Sequence, residues 1–79
     1  MENINHLRKR IDEEDEQILR LLSERDKICK TIGSVKKEHG IPIKDAYRES
    51  EVYARVRQKA LEFALDPMQV GSVFRQIIN

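Results

Sequence analysis

The feature that most constrains this sequence is an unbroken heptad rhythm across its first half. One row of positions reads Ile4, Ile11, Ile18, Arg25, Ile32 and His39. The second row reads Leu7, Glu14, Leu21, Ile28 and Val35. Sustained spacing of this kind marks a helix that lays a seam against another helix. The pattern predicts one helix from about Ile4 to Lys37, closed by Gly40 and by Pro42, which holds Ile41 extended. Such a helix is about 51 Å long at 1.5 Å per residue. The chain has 79 residues, and a compact domain of that size is only about 30 Å across. The helix overshoots any globule one chain could make, so a second copy is expected to share its seam.

Two shorter helices follow. The second is predicted from about Ala46 to Ala64 with Asp45 as N-cap, and an inner stripe of Glu49, Val52, Tyr53, Val56, Ala60 and Phe63. The third starts with Asp66 as cap and Pro67 in the first helical position, with Val70, Val73, Phe74 and Ile77 as its apolar face. The fold class expected is all-α, three helices per chain in an intertwined dimeric bundle. The apolar stripe is still running at Ile77-Ile78-Asn79, with Asn79 a candidate terminal cap. The natural polypeptide is therefore expected to continue, or the single domain at 1–79 to have been cut short.

Charge narrows the partners. The 15 basic and 14 acidic residues nearly cancel, whereas nucleic-acid binding calls for a clustered basic excess. No one-sided basic face suits a membrane surface, and no apolar run is long enough for a signal or a span. Cys29 is the only cysteine, so no disulfide forms within the chain, and a reducing, cytoplasmic setting is expected. His6, Cys29 and His39 lack metal-ligand spacing. There is no Gly-rich phosphate loop and no nucleophile with a local signature.

What remains is a set of cations and one acid. Arg25 occupies a seam position that wants an apolar residue. Lys36 lies on nearly the same face, roughly 16 Å further along the axis. Their side chains either converge on a small anion or snorkel to water, and a charge in the seam also sets register. Arg8 is roughly 25 Å from Arg25 along the axis. It reaches the same ligand only from a second, antiparallel copy; otherwise it belongs to a solvated charge run. Glu49 either complements the dipole of the second helix or accepts a hydrogen bond from a ligand hydroxyl. Asp45 and Arg48 flank the same helix start, where free amides favour polar groups. Gly33 is expected to permit close helix approach.

These residues also carry a resemblance. Leu7-Arg8-x-x-Ile11-Asp12-x-x-Asp15 and Ile18-Leu19-x-Leu21-Leu22-x-Glu24-Arg25 resemble the opening of the all-helical chorismate mutases. Gly33-x-x-Lys36, Pro42-Ile43-x-Asp45-x-x-Arg48-Glu49, and Leu65-Asp66 with Phe74-x-x-Ile77-Ile78 are similar to the rest of that family's pattern, in order. The resemblance implies a homodimer with two sites, each drawn from both chains, acting on chorismate without metal or cofactor. It implies that Arg25 and Arg8 of the second copy hold the substrate carboxylates. Lys36 would donate to the ether oxygen, Glu49 and the backbone around Asp45 would bind the ring hydroxyl, and Arg48 would support the carboxylate end. The family usually adds a late Gln or Glu donor and a nearby Ser on the third helix. By register these fall beyond Asn79, and Gln76 comes too early to replace the donor. Two rivals remain: an isochorismate-pyruvate lyase of the same fold, and a non-enzymatic helical dimerisation module.

Overall fold

The computed structural model describes residues 3–78, so Asn79 and its capping role lie outside the described residues. Those residues form three helices and no strand: α1 (Ile4–Glu38), α2 (Ala46–Glu62) and α3 (Pro67–Ile78). They fall into two compact units, one ending at Ile41 and the other beginning at Pro42.

The first unit is α1. Asn3 caps it by accepting the His6 amide at 3.1 Å. No proline interrupts the 35 residues, and Lys36 and Lys37 complement the dipole in the last turn. Exposed pairs such as Lys30–Asp26 at 2.9 Å and Arg20–Glu16 at 3.8 Å lie four residues apart, each worth about 0.3–0.5 kcal/mol. The helix ends in a Schellman motif. Ile41 N–H donates to the Lys36 carbonyl at 2.8 Å and Gly40 N–H to the Lys37 carbonyl at 3.3 Å. Gly40 takes φ 65° there, a conformation that glycine enters without steric cost. No residue of α1 is buried. The heptad residues Ile4, Leu7, Ile11, Ile18, Leu21, Ile28, Ile32 and Val35 are all exposed. A Cβ at Gly33 would meet nothing within 4 Å, so among the described residues nothing uses the close approach that Gly33 offers.

The second unit is a helical hairpin with α3 packed on α2. Asp45 caps α2 through the Arg48 amide at 3.0 Å, and Asp66 caps α3 through the Met68 amide at 2.9 Å, both as the sequence predicts. The core is Val52, Val56 and Ala60, four residues apart on one face of α2. Val70, Phe74 and Ile77 are the half-buried apolar face of α3. A Cβ on Gly71 would lie 3.8 Å from Arg57 Cδ, an ordinary contact. One boundary needs correction, and two residues expected on inner stripes are exposed in the single chain, as the α1 seam residues are. The second helix stops at Glu62 rather than Ala64, Phe63 is 73% exposed, and Val73 is 57% exposed. The first follows from a second Schellman closure, which ends the helix at Glu62 with Phe63 as its C-cap. Val73 falls outside the narrower face formed by Val70, Phe74 and Ile77.

In that closure Leu65 N–H donates to the Ala60 carbonyl at 2.8 Å and Ala64 N–H to the Leu61 carbonyl at 3.2 Å. Ala64 must therefore hold φ 57°, where an L side chain crowds the following carbonyl. Ala64→Gly should relieve this and raise stability by about 0.5–1 kcal/mol after glycine's greater freedom in the unfolded chain is counted. Thermal unfolding checks this. A midpoint unchanged or lowered in Ala64→Gly would show that the strain is already relaxed.

Candidate functional site

On α1, the described positions that are not fully exposed are Leu22, Arg25, Gly33 and Lys36. Their offsets of 3, 8 and 3 place them within an 80° stripe at 100° per residue. Among the basic residues of α1, only Arg25 and Lys36 lie on it; Arg8, Lys9, Arg10, Arg20, Lys27, Lys30 and Lys37 are exposed. The helix thus brings Arg25 and Lys36 onto one face, each half-covered. It leaves Arg8 on open surface, about 25 Å away along the axis. Arg25 has a local partner, since its Nη1 donates to Cys29 Sγ at 3.8 Å.

The second unit gathers Asp45, Arg48 and Glu49 in the first turn of α2. Oδ1 of Asp45 accepts the cap amide and its carbonyl accepts the Glu49 amide, so what Asp45 can offer a ligand is its second carboxylate oxygen and its main-chain N–H. Arg48 Nη1 lies 3.7 Å from Glu51 Oε1 on the surface. Glu49 is half-buried. Its amide donates to the Asp45 carbonyl at 3.0 Å, and among the described residues its carboxylate has no hydrogen-bond or ion-pair partner. A half-buried acceptor without a donor is chemically suited to a hydroxyl or an ammonium.

A shallow depression elsewhere on α1 is lined by Lys9, Asp12, Glu13, Asp15, Glu16 and Leu19. Its four carboxylates would repel an anion. No group of His, Cys, Asp or Glu among the described residues could hold a metal ion. The heptad reading missed the half-covered Leu22 and the contact of Cys29 with Arg25. The available signal was the offset of 11 residues, which pairs Leu22 with Gly33 just as it pairs Arg25 with Lys36.

By fold this is an all-α domain of one long and two short helices, with two cations sharing one face of the long helix. The chain belongs to the chorismate mutase type II family, which it matches over residues 7–79. It is 39% identical over 79 residues to a chorismate mutase of Methanocaldococcus jannaschii, all of this chain aligning with 80% of that protein. It is 46% identical over 82 residues to a bifunctional chorismate mutase/prephenate dehydratase of Aquifex aeolicus, of which it covers 23%. A 4-amino-4-deoxychorismate mutase of Streptomyces pristinaespiralis is 29% identical over 76 residues, with 59% of that protein covered. No solved structure gives a significant match.

Proposed function

We propose that this chain converts chorismate to prephenate, as a homodimer in the cytoplasm, with residues 1–79 forming the mutase domain. The observation that carries the reading is the selective cover of Arg25 and Lys36 on a helix whose other cations face water. The reaction is an intramolecular [3,3] rearrangement: one C–O ether bond breaks while one C–C bond forms. It needs no nucleophile, so catalysis consists of orientation and charge stabilisation.

Each residue then has a task that its chemistry fits. Arg25 holds one carboxylate with its planar fork, and Arg8 of a second copy holds the other. Lys36 donates to the ether oxygen, where negative charge grows as the bond breaks. Glu49 accepts from the ring hydroxyl, and the Asp45 main chain lies beside it. Arg48 supports the carboxylate end. The heptad residues of α1, exposed along the whole helix, form the surface on which the second copy packs. No helix among the described residues is long and apolar enough to cross a membrane.

The test is loss of chorismate absorbance with prephenate recovered as product. Isochorismate is offered in parallel, with salicylate as its readout. Prephenate from chorismate is the expected result. A folded chain that leaves chorismate untouched overturns the reading, and salicylate from isochorismate replaces it with the lyase.

A further inference from the structure

Cys29 lies four residues after Arg25 and seven before Lys36. At 100° per residue it stands about 40° round the helix from Arg25 and about 20° from Lys36. It therefore lies on the same face, between the two cations along the axis. Its sulfur accepts from Arg25 Nη1 at 3.8 Å, while its own side chain is exposed and adds little to packing. Free arginine side chains sample many rotamers, and a guanidinium that must meet a carboxylate in two places binds best when that freedom is already lost.

We propose that Cys29 is a positioning residue for Arg25: its sulfur holds the guanidinium on the basic face of α1, ready for a substrate carboxylate. This inference rests on the mutase reading above. A thiol sulfur is a weak acceptor, but a charged donor strengthens the contact. The carboxylate is present in substrate and transition state alike, so loss of the contact weakens both equally. That appears as a raised KM with kcat little changed.

The experiment compares the wild-type chain with Cys29→Ala and Cys29→Ser, measuring chorismate kinetics and thermal unfolding. Cys29→Ala should raise KM about 2- to 10-fold, the range of one modest hydrogen bond, with kcat nearly unchanged. Cys29→Ser keeps an acceptor and should restore most of the loss. Alanine is the better helix former, so the unfolding midpoint of Cys29→Ala should hold or rise while affinity falls. A merely structural cysteine would move both in the same direction. KM unchanged in Cys29→Ala, no rescue by serine, or a midpoint that falls with affinity overturns the inference and leaves the mutase reading standing. A wild-type chain without mutase activity overturns the reading, and this inference with it.

Discussion

Lys36→Ala should lower kcat about 100- to 1,000-fold, the usual effect of deleting one preorganised donor to a developing oxyanion. KM should change far less. The ether oxygen of chorismate carries little charge in the ground state and gains it only as the C–O bond stretches. A cation aimed at that atom is thus worth more in the transition state than in the bound substrate. Turnover and kcat/KM should fall together. Lys37→Ala supplies the control. Its side chain is exposed and about 100° round the helix from Lys36, so it should leave kinetics unchanged. Lys36→Arg keeps the charge but replaces a compact ammonium with a wider planar fork, and should recover only part of the rate. An Ala variant that binds poorly yet turns over normally would make Lys36 a carboxylate ligand, not the ether-oxygen donor.

How far the sequence foretold the structure depends on where the information lies. α1 was legible because its signals are local and agree: heptad spacing, no proline, Gly40 and Pro42 as a stop. The caps at Asp45 and Asp66 were legible for the same reason, since a carboxylate two or three residues before a free amide needs no tertiary context. The end of α2 was not. Ala64 has no intrinsic preference for φ 57°, and only the closure around Ala60, Leu61 and Leu65 forces it there. On α1, Arg25 and Lys36 stood out from spacing alone. Cys29 did not, because its contact with Arg25 depends on a side-chain rotamer that no periodicity records.

Ile18→Glu should remove the proposed dimer and with it the fold and activity. The described core consists of Val52, Val56 and Ala60, all in the second unit, while α1 buries nothing. An isolated helix keeps its form in water only marginally, and tertiary packing of its apolar face supplies most of its stability. Ile18 is 55% exposed and stands near the middle of the proposed seam. Burying such a side chain contributes about 1.5–3 kcal/mol, and a two-fold dimer carries each substitution twice. The loss is then about 3–6 kcal/mol per dimer before the glutamate's own desolvation is counted. A domain of this length holds only about 4–12 kcal/mol in total. Ser23→Glu adds the same charge about 140° round the helix and should be tolerated. Sedimentation and helical circular dichroism across a range of protein concentrations read the outcome. The wild-type midpoint should rise with concentration, as mass action requires of a folded dimer, whereas Ile18→Glu should be a largely unfolded monomer without mutase activity. A wild-type chain that stays monomeric and fully helical at every concentration would remove the second copy. Arg8 could then not reach the ligand held by Arg25, and the carboxylate it was assigned would need another partner within the same chain.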